Sequence, residues 1–164
     1  MKKVAYRVVA VILIALVSFS FKSTNTYQNK TVKCLLQTKN YAGEGAYIAI
    51  SLLNDKETYK KTLYMVGDDN EWYESLQDWY RGIGHANSDV DAISGATINP
   101  GARSVIVLDV PEDTVDKGYK IRFESAVEDQ EYYATDLEVA LTSENLNGKF
   151  EGTGYIRYVR FISK

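Results

Sequence analysis

Beyond residue 30, apolar and polar positions alternate along most of the chain with a period of two, the pattern of half-buried β-strands. In residues 31–38, Val32, Cys34 and Leu36 alternate with Thr31, Lys33 and Gln37, and Leu35 breaks the polar side. Residues 46–53 set Ile48, Ile50 and Leu52 on one face. Asn54-Asp55-Lys56-Glu57 then reads as a hairpin loop that returns through residues 59–66. Residues 103–110 are nearly continuous β-branched material, which predicts a central strand. Asp116-Lys117-Gly118 predicts a turn, after which Tyr119, Ile121 and Phe123 alternate with Lys120, Arg122 and Glu124. Leu137, Val139 and Leu141 alternate with Asp136, Glu138 and Ala140, and residues 155–162 carry apolar and aromatic side chains on both faces.

About seven strands separated by turn signals predict an all-β fold, an antiparallel two-sheet sandwich of immunoglobulin-like type. Most gaps between strands are too short for the crossover helices of a parallel sheet, and a closed barrel is the alternative arrangement. One segment departs from the strand rhythm. Asp68 with Glu71 is a helix-start signal, and Trp72, Leu76, Trp79, Tyr80 and Ile83 follow at helical spacing before Gly82 and Gly84 end it. The spacing predicts one short helix of about three turns across an end or edge of the sandwich, its aromatic stripe facing the core. Tyr73 lies off that stripe and is the candidate for an exposed stacking residue.

The N-terminus supplies a compartment. Met1-Lys2-Lys3 is a basic start, residues 8–17 are an unbroken apolar run, and Ser18-Phe19-Ser20 offers a small-x-small cleavage pattern. This is the layout of a secretory signal peptide over residues 1–20, followed by a polar linker, 21–30, and one domain, 31–164. An uncleaved anchor is the rival reading, since Phe19 and Phe21 extend the apolar stretch; Arg7 and the polar linker favour cleavage. The expected location is periplasmic or otherwise extracytoplasmic. Cys34 is the one cysteine, so an internal disulfide is excluded, and its apolar neighbours predict a buried, inert thiol. The formal charge is −3, and removal of Lys2, Lys3 and Arg7 takes it to −6. Net charge of that sign gives no electrostatic case for binding nucleic acid or an anionic membrane surface.

Between the helix and residue 103 lies a long connection, where function concentrates on a rigid scaffold. His85 to Val90 is polar, Asp91-Ala92-Ile93-Ser94-Gly95-Ala96-Thr97 follows, and Asn99-Pro100-Gly101 closes the loop. Thr97 offers a hydroxyl able to attack phosphorus once a base takes its proton. Gly95 and Ala96 remove bulk beside it, so a second protein's active site can approach the backbone. Ser94 and Asp91 can hydrogen-bond the loop's own amides and fix a turn, and Pro100 keeps the loop out of a sheet ladder. A D-x-x-[ST]-G-A-[ST] match arises by chance in a chain of this length with probability on the order of one in a thousand.

This heptapeptide resembles the covalent FMN acceptor motif of Rnf-type and sodium-pumping NADH:quinone reductase subunits. That resemblance implies FMN esterified to Thr97 by a Mg²⁺-dependent flavin transferase, with Asp91, Ser94, Gly95 and Ala96 completing the cofactor-binding motif. The chain from about residue 31 to 161 is similar to a family of predicted exported bacterial proteins of unknown function. The likeness is carried by Asn40-Tyr41-Ala42-Gly43, residues 59–64, the heptapeptide and Gly118-Tyr119-Lys120-Ile121-Arg122-Phe123-Glu124. It implies association with PepSY-type membrane proteins that move electrons. The expectation is an extracytoplasmic electron carrier and flavoprotein, a substrate of the transferase and not itself an enzyme.

Other chemistry is less well supported. His85, Ser94 and Asp91 can be drawn as a hydrolytic triad, but they crowd one loop and no G-x-S-x-G elbow is present. Asp68, Asp69, Asn70, Asp89 and Asp91 lack calcium-loop spacing. The main alternative is an exported binding or accessory module without cofactor, holding a glycan or a membrane-protein partner through Tyr41, Tyr47, Tyr132 and Tyr133. A purely structural accessory subunit is the third reading.

Overall fold

The computed structural model describes residues 28–83, Val90 and residues 93–163. Its strands are β1 (Asn29–Thr38), β2 (Tyr47–Leu53), β3 (Tyr59–Val66), β4 (Ser94–Gly95), β5 (Arg103–Pro111), β6 (Lys120–Ala126), β7 (Tyr133–Ala140), β8 (Lys149–Phe150) and β9 (Ile156–Ser163). The seven long strands coincide with the alternating stretches. β4 and β8 have two residues each, too few for a period to be seen. One sheet has the order β5-β1-β9-β8 and the other β4-β3-β2-β6-β7. All pairings are antiparallel except the parallel match of β4 to β3. The fold is the expected all-β sandwich.

Alternation decides what lies between the sheets. Val32, Cys34 and Leu36 of β1 meet Ile48, Ile50 and Leu52 of β2 and Phe123 of β6 in one buried core. Burial pushes the Cys34 thiol up to about 12, so it stays a packed, unreactive group. The 54–57 hairpin loop forms as predicted, with Asn54 Oδ1 accepting the amides of Lys56 and Thr58 at 3.1 and 2.8 Å.

β5 corrects the prediction of a central strand, since it is the edge of its sheet. Ile106, Leu108 and Val110 face the core, while Val105 and Val107 are 62% and 51% exposed. β-Branched content reports fitness for a pleated backbone and does not require burial on both faces.

The predicted three-turn helix is also divided. Asn70–Ser75 is a 3₁₀ turn capped by Asp69, not Asp68, whose Oδ1 accepts the Glu71 amide at 3.0 Å. Leu76 then leaves helical geometry at φ −90°, ψ 69°, and α1 (Gln77–Gly82) follows. The break sets Tyr73, Leu76 and Trp79 inward at a spacing of three, the period of a 3₁₀ turn. Tyr73 is therefore 2% exposed, not a surface stacking residue. It meets Trp79 edge-on, with ring centroids 5.3 Å apart. This segment does not close an end of the sandwich. It lies on the outer face of the five-stranded sheet and builds a second core with Ala49, Met65, Val90 and Ala126.

Asp136 joins the two sheets. It is buried in β7, where its carboxylate accepts Ser125 Oγ at 2.5 Å, the Gly154 amide at 2.7 Å and the Ile156 amide at 2.9 Å. Gly154 lies on the approach to β9 in the other sheet, and Ile156 is the first residue of that strand. Three donors surround the carboxylate, and no cation among the described residues pairs with it. Asp136→Ala is expected to leave the two amides and the hydroxyl without partners and to cost about 3–5 kcal/mol by urea denaturation. A loss below about 1 kcal/mol would show that the sheets are held together elsewhere.

Candidate functional site

The second half of the heptapeptide is sheet rather than loop. Ser94 and Gly95 are β4, paired to Met65 and Val66, and the Gly67 amide donates to Gly95 O at 2.6 Å. Gly95 has an internal reason to be glycine, because a Cβ there would collide with the Tyr64 hydroxyl. Ala96 is exposed and Thr97 half-buried; Ile98 then turns inward. Ile98 exchanges main-chain bonds with Ala46 at 2.9 and 3.3 Å. Thr38 donates from its hydroxyl to Asn99 O at 2.7 Å and from its amide to Ala102 O at 3.1 Å. The Gly101 amide donates to Lys39 O at 2.9 Å.

Residues 94–102 thus form a strap that runs from the edge of the five-stranded sheet to the end of β1 in the four-stranded one. The expectation of a loop kept out of any sheet ladder is corrected at Ser94 and Gly95. Ile98 is the anchor that the polar composition concealed, and backbone donors supply the rest of the attachment. Asp91, Ala92, Asp89 and His85 lie outside the described residues, so the drawn triad and the Asp91 turn are not placed. Ser94 lines an open polar depression with Asp68, Asp69 and Asn70.

Thr97 sits at the middle of the strap. Its hydroxyl has no hydrogen-bond partner among the described residues, and among them only Ser51 has a fully buried, unpaired side-chain oxygen. Thr97 Oγ1 therefore keeps contact with solvent. Beneath it lies Gly45, where a Cβ would come within 2.5 Å of Oγ1 and 2.7 Å of the Thr97 Cβ. The space for this hydroxyl exists because residue 45 has no side chain.

The tyrosines considered for ligand binding are engaged in packing. Tyr41 and Tyr133 both meet Tyr155 edge-on, at 4.8 and 5.2 Å between centroids. Tyr41 donates to Glu44 O at 3.1 Å and Ile98 O at 3.4 Å, which holds the strap. Tyr47 covers Gly67. Tyr132 donates to Glu124 Oε2 at 2.7 Å and accepts the Asp78 amide at 2.9 Å.

Glu124 is the residue that sequence reasoning missed. Alternation with Lys120 and Arg122 made it read as a solvated side chain. It is 3% exposed because α1 covers the sheet's outer face, and its Oε2 also accepts the Trp79 amide at 2.9 Å. Burial pushes its carboxyl up to about 7, opposed by the bonds from Tyr132 and Trp79; Asp78 adds to the rise and Arg122 works against it. It lines an open cleft with Tyr59, Asp78, Arg81 and Arg122.

Fold and site together define a β-sandwich that carries a motif strap fixed at both ends across its two sheets. The chain belongs to the family described as predicted periplasmic proteins (DUF2271), whose model matches residues 29–158. An extracytoplasmic location follows from that membership. Neither a curated protein nor a solved structure matches the chain.

The Glu124 carboxyl has a pH signature. Its folded-state value of about 7 lies above the ordinary 4.5, so the folded chain retains a proton that the unfolded chain has released. Stability is therefore lost as pH rises through that window. Glu124→Gln keeps an acceptor for Trp79 and Tyr132 without the charge. Its stability relative to wild type should climb across the window, by about 3 kcal/mol above about pH 8. Parallel stability curves for the two proteins in urea denaturation would refute the assignment.

Proposed function

We propose that Thr97 is the attachment point for FMN, joined through a phosphoester to Oγ1, and that the protein is an extracytoplasmic electron carrier. The observation that carries this reading is the Thr97 hydroxyl itself. It is unpaired among the described residues, reaches solvent, follows the exposed Ala96 and is given room by Gly45. In the attachment, the Thr97 Oγ1–phosphorus bond forms and the pyrophosphate bond of FAD breaks. AMP leaves and the hydroxyl proton passes to a base of the transferase. When bound, FMN supplies one- and two-electron redox chemistry.

The chain's own part is presentation. Ser94 and Gly95 fix one end of the strap on β3, Ile98 anchors its middle on Ala46, bonds to Thr38 and Lys39 fix the far end, and the exposed Ala96 leaves the approach to Thr97 uncrowded. Asp91 extends the recognition element at its N-terminal side. A flavin transferase is the partner that this reading requires, and a PepSY-type membrane redox protein is the electron partner the resemblance implies. The protein is then a substrate and a carrier, with no catalysis of its own. The binding-module alternative has less support, because the tyrosines it relies on are committed to packing and to the strap.

Coexpression with a flavin transferase should yield protein that fluoresces yellow-green in a denaturing gel and gains the mass of one FMN. Thr97→Ala should abolish both signals with folding unchanged, and Thr97→Ser should retain them. Unmodified wild-type protein from a host with an active transferase would overturn the reading. Gly45→Ala should displace the Thr97 side chain, cost about 1–3 kcal/mol and lower flavin incorporation. Full incorporation in that variant would show that Gly45 serves packing alone.

A further inference from the structure

The two sheets present unlike outer faces. That of the five-stranded sheet is covered by residues 70–83, whereas no described helix covers that of the four-stranded sheet. Strand register fixes what this second face displays. One row across it reads Val105, Leu35, Arg160 and Lys149; the next reads Val107, Lys33 and Ile162; a third reads Arg103, Gln37 and Tyr158. Val105, Val107 and Ile162 are the exposed large hydrophobic residues among those described, at 62%, 51% and 48%, and all three stand on this face.

Charge is segregated in the same way. At one end of the face, Lys39, Arg103, Lys149 and Arg157 line an open cleft whose single carboxylate is Glu151. With Lys33 and Arg160 these make six cations, and none is ion-paired to a described residue. Arg103 Nε donates to Gln37 Oε1 at 3.0 Å, Lys39 Nζ donates to Thr153 O at 2.9 Å, and Lys149 lies 4.2 Å over the Tyr158 ring. Elsewhere, Arg81 of α1 and Lys120 and Arg122 of β6 are each paired with a carboxylate, whereas Lys60 and Lys61 of β3 are not paired to a described residue. The three rows hold no acid, and Asp109, paired with Thr31, stands in the row beyond them. The net charge of −3, which gives no overall attraction to an anionic surface, thus conceals a local cluster of six unpaired cations on this partly apolar face.

We propose that this face docks the domain against an anionic phospholipid bilayer. Charge complementarity selects an anionic surface, to which each basic residue near it adds attraction. The arrangement of the apolar residues then favours lipid over an acidic protein. A protein interface gathers apolar side chains into a core with a polar rim. Here, aliphatic side chains are interleaved with cations across the rows. That suits the boundary between headgroups and acyl chains, where aliphatic groups reach hydrocarbon while Lys and Arg stems extend to phosphates. The proposal rests on β1, β5, β8 and β9 and is independent of Thr97.

The test is flotation of the protein recovered from the periplasm with vesicles of phosphatidylcholine alone or mixed with phosphatidylglycerol. Binding is expected only to the phosphatidylglycerol vesicles, and high salt should release it. Lys33→Glu with Arg160→Glu should weaken binding by about tenfold or more. Lys60→Glu with Lys61→Glu on β3, an equal change in net charge, should do so far less. Val105→Ser with Ile162→Ser should weaken binding at unchanged charge, and thermal unfolding should confirm that each variant is folded. Absence of binding to phosphatidylglycerol vesicles would overturn the proposal, as would equal losses in the two charge-reversed pairs. Capture of an acidic protein without any vesicle binding would overturn it too.

Discussion

A carboxylate held away from water without a neighbouring cation is stable only when donors surround it, and among the described residues Asp136 is such a group. Two of its three donors are amides on the approach to β9 and at its first residue, so satisfying the charge also aims that strand at β1. Gly152 must lack a side chain for the wrap to close, since a Cβ there would lie 2.5 Å from Asp136 Oδ1. The same approach delivers Tyr155, whose carbonyl accepts the Lys39 amide at 2.8 Å and whose ring packs on Tyr41. Tyr41 in turn holds Ile98 O. A line of contacts therefore runs from a buried acid in β7 to the strap that presents Thr97.

The two sheets solve the problem of their outer faces differently. On the five-stranded sheet, aromatic side chains from residues 70–83 bury the surface, and Thr62 and Glu124 are satisfied there by Trp79 and Tyr132. The cost is a carboxyl whose charge is disfavoured near neutral pH. On the four-stranded sheet only Gln37 of the outer rows is buried, and the exposed valines of β5 share the face with cations instead. Cations at a sheet edge also discourage pairing with other strands, so that surface is protected while it stays open.

Alternation made the seven long strands legible, because a period of two survives in Val32-Cys34-Leu36 or Ile48-Ile50-Leu52 without any knowledge of partners. Position within a sheet was not legible. Residues 103–110 look like a central strand, and only pairing shows that β5 has a single neighbour. The helix prediction failed at Leu76, where a local break shifted the inward face by one residue and buried Tyr73. Glu124 and Asp136 read as ordinary surface acids, since burial came from elements distant in sequence. For the candidate site, the heptapeptide and its small residues were visible, but Gly45 was not. Its role depends on contact between residues 45 and 97, which no local pattern encodes.

The neighbours of β1 have a bearing on how the chain reaches its folded form. β1 pairs with β5 and β9, so the earliest strand lies between two that follow much later. A chain emerging N-terminus first exposes both edges of β1 until residues 103–111 arrive, and closes the second only with residues 156–163. Contacts so distant in sequence make folding slow. The topology thereby defers completion of the sandwich until nearly the whole polypeptide is on one side of a membrane. For a protein of a periplasmic family, a sandwich that closes this late suits a chain that crosses a membrane before it folds.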